Sequence, residues 1–427
     1  MLNERIFDEV DYEGFARNVK ALHDELRADT GAADLDHLRR IEIWGRVCSV
    51  LGYATAWIVP NPIAAILIGQ GIFIRLAIMH QVMHGAYDRI PGVAAGYTSA
   101  CFAKGWRRYL DFIDWVLPAA WKHEHNAPHH YHLSEMSDPD FLELNTEWLR
   151  RSRAPRALKY LLIGLCAMVW KWYCMVPKSM CYLHDARCRR ARLRSLVDAP
   201  EVSVRRAAQR RAFNPLTCVG FDVWFRCLVP YVLARFVVIP LLFLPLGGRA
   251  VFCVLLTSVM AELWTNLHSF IVIIPNHSGE DLYRFDGPIS DRADFYLRGV
   301  VGSVNYRTGG DFNDFLYGFL NYHIEHHLWP DLSFLRYQQA QGRLKRLCEQ
   351  YGLPYVQESI FERFKHMLRI VTGETSMRLA VTLTRQERIA LEQPVAVTLT
   401  RQERISLEQP AILNGALGLA LFATQPA

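Results

Sequence analysis

Residues 63–84 read IAAILIGQGIFIRLAIMHQVMH, and this stretch decides the fold class. The apolar run 63–79 has the character of a membrane-crossing helix and continues without a break into His80 and His84. Positions i and i+4 share a helix face, so both imidazoles can address one ion from the end of a span. Taken alone, two such histidines are more often interfacial groups than ligands.

Pro60-Asn61-Pro62 separates this run from a second, IEIWGRVCSVLGYATAWIV at 41–59. Proline cannot continue a helix and restricts the residue before it, so the two runs form a hairpin with an uncharged tip. A second pair lies at 228–246 and 250–274, with Gly247-Gly248 between them. The expected fold class is all-α: a polytopic membrane protein with two transmembrane hairpins (four spans) and a cytosolic helical cap bearing histidines. Arg39 and Arg40 precede the first hairpin, and Arg75 and Arg89 lie at its far end. The positive-inside tendency therefore places the histidine ends in the cytoplasm.

The segment 157–183 is also apolar. Reading it as a crossing would put Arg187, Arg189, Arg190, Arg192, Arg194, Arg205, Arg206, Arg210 and Arg211 outside, against that tendency. It is expected to lie in the interface instead. Residues 1–40 read as a cytosolic amphipathic helix, with Phe15, Val19, Leu22 and Leu26 at helical spacing and no continuous apolar stretch of the kind a signal peptide needs. Membrane insertion is expected to use the internal spans. Residues 41–375 form the main domain. The tail 376–427 contains AVTLTRQERIALEQP (380–394) followed by AVTLTRQERISLEQP (396–410), a tandem repeat too short for a solenoid and expected to be flexible. The apolar stretch 411–423 is too short to span.

The net charge of +6 is concentrated near 184–211, which suits a membrane surface. No interleaving of aromatic and basic residues suggests base stacking, so nucleic acid is not an expected partner. Ten cysteines are scattered through apolar segments without a CxxC pair, which supports neither a disulfide framework nor a thiolate metal site.

Histidine placement carries the chemistry. Five histidines fall within WKHEHNAPHHYHLSEMSDPDF (121–141), at 123, 125, 129, 130 and 132. Three more, His323, His326 and His327, stand at i, i+3 and i+4 on one helix face ended by Trp329-Pro330. With His80 and His84, ten of the sixteen histidines occupy three short clusters where composition alone would place about one. Pro128 suggests a fresh helix beginning near 127–128. Asp138, Asp140 and Glu143 follow closely, and carboxylates near metal-bound imidazole commonly orient it through its second nitrogen. Glu262, Asn266 and His268 are polar groups inside a span and functional suspects for that reason. Of His268 and His277, at most one is expected to bind metal, and His277 is preferred. So many imidazoles exceed one tetrahedral zinc and suit two ions with open positions. Among such ions, iron is the one suited to oxygen activation.

HQVMH (80–84), WKHEHNAPHH (121–130) and NYHIEHH (321–327) resemble the three histidine boxes of the membrane fatty acid desaturase superfamily. PNHSGEDLYRFD (275–286) and NDFLYGFLNYHIEHHLWPDL (313–332) closely resemble bacterial acyl desaturases. The resemblance covers roughly 40–370. It implies a di-iron centre held by His80, His84, His125, His129, His130, His323, His326 and His327, with His277 matching a further family histidine. It also implies O2-dependent C–H abstraction from a membrane lipid or other acyl substrate. The heme-binding HPGG stretch of cytochrome-fused relatives is absent, so electrons are expected from a separate ferredoxin- or cytochrome-type donor and its reductase. The basic stretch 187–211 suits anionic lipid better than such a donor. Hydroxylases, acetylenases and ketolases share these boxes and remain alternatives. A non-catalytic metal-binding protein fits less well, because transporter sites lie near the midplane and these clusters lie at a membrane rim.

Overall fold

In the computed structural model, which describes residues 7, 9–190, 209–380, 382 and 386–388, the N-terminal helix α1 (Tyr12–Ala28) buries the stripe its sequence spells out. Phe15, Val19, Leu22 and Leu26 all face the core. A buried ion pair anchors the start of the next helix. Asp34 sits 2.7 Å from the Arg336 guanidinium and also accepts from the Ser333 hydroxyl.

Helices α2 (Ala32–Ala56) and α3 (Pro62–Met83) form the first hairpin. Asn61 caps α3 by accepting from the Ala64 N–H at 2.6 Å, and Pro62 takes the first helical position, where its missing N–H costs nothing. The two helices pack closely through glycine. A Cβ on Gly71 would collide with the Ser49 hydroxyl and the Gly45 carbonyl. Ile43, Val47, Val50 and Leu51 point outward from α2.

The second hairpin pairs α4 (Cys218–Leu246) with α5 (Gly248–Ile273). α4 begins at Cys218, well before the expected 228, where Thr217 accepts from the Gly220 N–H at 3.0 Å. The charges that masked this start are neutralised by folding: Asp222 pairs with His184, Arg187 and Arg226.

Three helices are long and apolar enough to cross a membrane among the described residues: Pro62–Met83, Cys218–Leu246 and Gly248–His277. α2, the first expected span, falls outside that set because Arg39, Arg40, Glu42 and Arg46 lie along it. Its outward apolar side chains still continue the lipid-facing surface of the hairpin. The helices Arg156–Ala167 and Lys171–Cys188 are bent by 73° at their break and make a fourth crossing only as one broken span.

Several helices contain wide turns, and proline accounts for them. Val223–Leu228 precedes Pro230, Leu233–Val238 precedes Pro240, Lys171–Met175 precedes Pro177, and His125–His129 contains Pro128. A ring that removes one N–H and crowds the carbonyl four residues back forces the ladder to widen.

Beyond the second hairpin, α6 (Arg292–Val301), α7 (His323–Leu328), α8 (Phe334–Gln350) and α9 (Ile360–Thr372) build the cap. Two parallel pairings tie it together: Tyr283–Phe285 with Arg378–Ala380, and Asn305–Tyr306 with Gln357–Glu358. The first pairing lies past the expected tail boundary at 375/376. The tandem repeat beyond residue 388, the stretch 411–423 and the basic segment 191–208 lie outside the described residues. All ten cysteines are free thiols.

Candidate metal centre

The end of α3 delivers His80 and His84 into the body of the cap, facing α7 with His323, His326 and His327. The middle cluster arrives differently from expectation. No helix begins at 127–128. A helix starts at Pro118, runs to Glu124 and opens into the wide turn His125–His129. Pro128 therefore loosens the end of a helix instead of opening one. The looser turn brings His125, His129 and His130 inward together.

Nine imidazoles converge. His80 Nε2 lies 3.1 Å from His125 Nε2, which lies 3.2 Å from His130 Nε2. His84 and His326 complete this group, with ring centroids 4.9 Å apart. In the second group His277 Nε2 lies 2.6 Å from His323 Nε2 and 3.2 Å from His327 Nε2. His129 joins it, its ring 4.9 Å from His277 and 5.1 Å from His327. The His130 and His327 rings stack at 4.5 Å and join the two groups.

These residues fit a pair of metal ions. Nitrogens bound to one ion at about 2.0–2.1 Å stand roughly 3 Å apart when their bonds lie near right angles, and the Nε2 separations match that spacing. The buried Nε2 atoms of His84 and His326 find no hydrogen-bond partner among the described residues, a costly arrangement unless something else binds them. Burial, and then the neighbouring imidazoles, pushes His125, His130, His326 and His327 well below the ordinary histidine pKa. Neutral imidazole is the form that ligates metal.

Two side chains fix which nitrogen is free. Asp138 Oδ1 lies 2.9 Å from His129 Nδ1. A carboxylate only accepts, so the N–H at Nδ1 donates to it and leaves Nε2 for the site. Burial opposes charge on His129, but Asp138, Asp140 and Glu124 outweigh it and lift its pKa to about 9, so without metal the ring holds a proton on Nε2 that a metal ion has to displace. The Tyr337 hydroxyl donates to the Trp329 carbonyl at 3.2 Å and accepts from Gln81 at 2.9 Å and from His326 Nδ1 at 3.3 Å. Tyr337 carries no sequence signal, since it comes from α8. Gln81 shows one only in hindsight, by sitting between two box histidines.

The remaining candidates stand apart. His123 is exposed, His132 pairs with Glu135 at 2.9 Å, and His268 packs against Phe73 and Trp264. Glu143 turns away to the Met377 N–H. Glu262 and Asn266 belong to a different buried cluster. Glu262 accepts from Trp115 Nε1 at 2.7 Å, from Asn266 at 2.8 Å and from the Tyr231 hydroxyl, with the Lys171 ammonium 3.7 Å away. That cluster joins four segments across the bundle, a structural use of charge inside a span.

An apolar channel leads to the histidines. Its walls come from Phe73, Leu76, Met79, Trp121, Trp170, Ile273, Ile274 and Leu320, and His80, His125, His129, His277 and His323 complete the lining. One polar spot breaks the wall. Lys178 lies 3.1 Å from Glu124 and bonds Asp140, so each charge there has a partner.

A sequence model of the family described as fatty acid desaturase matches residues 55–359. The chain is 23% identical over 376 residues to an NADPH-dependent stearoyl-CoA 9-desaturase of Mycobacterium tuberculosis, covering 83% of this chain and 78% of that one. It is 25% identical over 306 residues to an acyl-lipid (7-3)-desaturase of Diacronema lutheri, covering 66% and 56% of the two chains. A shorter match, 33% identical over 101 residues, links it to a delta(8)-fatty-acid desaturase of Euglena gracilis, covering 24% and 23%.

Proposed function

The chain belongs to the fatty acid desaturase family, and from that premise we propose that it removes two hydrogens from a fatty acyl chain at a histidine-bound di-iron centre. The observation that carries this reading is the convergence of nine imidazoles beside an apolar channel. His80, His84, His125, His130 and His326 would hold one iron, and His129, His277, His323 and His327 the other. Bound there, the metals supply O2 reduction and C–H abstraction, with two electrons from a separate ferredoxin- or cytochrome-type donor served by a reductase and two protons from solvent. One O2 leaves as two waters, and the acyl chain gains one double bond.

The protein's own part is binding, orientation and exclusion of water. Phe73, Leu76, Met79, Trp121 and Ile273 offer the acyl chain an apolar wall, worth about 0.8 kcal/mol for each methylene removed from water. His80, His125 and His323 sit where the channel reaches the centre, so position along the channel selects the carbon pair. Asp138 and Tyr337 hold His129 and His326 in the tautomer that presents Nε2. Pairing Lys178 with Glu124 and Asp140 leaves no unmatched ammonium beside the substrate. The centre lies at the cytoplasmic rim, where a soluble donor can reach it. The relatives' names state different acyl carriers, coenzyme A and lipid, and the channel accepts the tail of either.

Metal analysis of the purified protein tests this directly. Two irons per chain are expected. Stoichiometric zinc without iron contradicts the proposal.

A further inference from the structure

Arg46 is a charge that the proposed chemistry does not use. It projects from α2 among the outward apolar side chains Ile43, Val47 and Val50, and its own side chain is 66% exposed. A charge on a lipid-facing surface is costly unless it reaches the headgroup layer or a counter-charge comes to it. Arg75 of α3 stands beside it, and both guanidiniums share one oxygen of Glu42, at 2.7 and 2.6 Å. The other Glu42 oxygen accepts from the Tyr97 hydroxyl. One carboxylate thus serves two arginines, which leaves positive charge and unspent N–H donors.

These arginines line an open groove with Ser49, Val50 and Leu110. Leu110 belongs to the segment 105–113, where Trp106 and Tyr109 are also exposed next to basic Lys104 and Arg107. Exposed aromatic and basic residues together mark the headgroup layer. The groove is separate from the acyl channel. Phe73, Leu76, Ala77 and His80 face the channel, and at about 100° per residue Gly71 and Arg75 fall on the opposite side of α3.

We propose that this groove binds an anionic phospholipid of the surrounding membrane as a resident, non-substrate lipid. Its phosphate accepts from Arg46 and Arg75, and its tails run along Val47 and Val50. Arginine suits the phosphate because its planar donors match two oxygens at once. The excess positive charge selects an anionic lipid over a zwitterionic one.

The test uses the full chain purified in detergent and then exposed to phosphatidylglycerol or phosphatidylcholine. Wild-type protein should retain phosphatidylglycerol preferentially through gel filtration and melt at a higher temperature with it than with phosphatidylcholine. R46Q should lower retention about fivefold, the effect of one arginine near an anionic surface. V50W keeps both charges but fills the groove, and should also lose the preference. Iron content should stay unchanged in both variants, which separates this proposal from that of the metal centre. Equal retention of the two lipids by wild type, or undiminished retention by both variants, overturns the proposal. So does an equal melting shift from glycerophosphoglycerol, the headgroup without tails.

Discussion

The Nδ1 atom of His129 and the Oδ1 atom of Asp138 stand 2.9 Å apart, and both residues are buried. This pair directs His129 Nε2 toward His277 and His327. Asp138→Asn removes the negative charge that His129 Nδ1–H faces while keeping the size. Iron affinity or turnover should fall about 10–100-fold, the usual cost of losing a group that orients a ligand. Iron content and product yield, measured on one preparation, check this. An unchanged variant means that His129 does not depend on Asp138.

His326 belongs to the group containing His80, His84 and His125, and its Nε2 has no hydrogen-bond partner among the described residues. His326→Ala should abolish product, lower bound iron from about two toward one, and leave the elution of the protein in detergent unaltered. Full activity in this variant contradicts the ligand assignment.

Ile274 is half-buried and lines the acyl channel, three residues before His277. Ile274→Trp should narrow the channel without displacing a ligand. Product from long acyl chains should drop at least about tenfold, with iron content retained. Equal loss of iron would show that the residue supports the centre instead.

Asp34 links the start of α2 to the cap through Arg336. Burial works against its charge, but hydrogen bonds from Arg336, Ser333 and the Gly31 N–H hold its pKa below the usual carboxylate value. A depressed folded pKa contributes stability that is present above the unfolded value of about 3.9 and lost as pH falls through the folded one. Asp34→Asn should therefore cost about 3 kcal/mol near neutral pH and progressively less below about pH 4. Melting curves across pH check this; parallel curves for variant and wild type contradict it.

Much of the site was legible in the sequence because helical spacing encodes a shared face. His80 with His84, and His323 with His326 and His327, needed no tertiary information. His277 falls among the imidazoles, and His268 packs against Phe73 and Trp264. The middle cluster was legible in composition but not in shape, since its geometry depends on how Pro128 widens the end of a helix. The start of α4 was hidden because Asp222 and Arg226 look like the end of an apolar run. Only the fold shows that His184 and Arg187 neutralise Asp222. Glu262 looked functional by its place in a span, yet its partners Trp115, Lys171 and Tyr231 come from segments no local pattern connects. Tyr337 was invisible for the same reason.

Desaturation of an acyl chain is read from the mass of the product. Acyl lipids from a host expressing the chain should include species lighter by two hydrogens that vanish with His326→Ala. Species heavier by one oxygen, or an acyl pool identical to that of the empty host, would contradict the account.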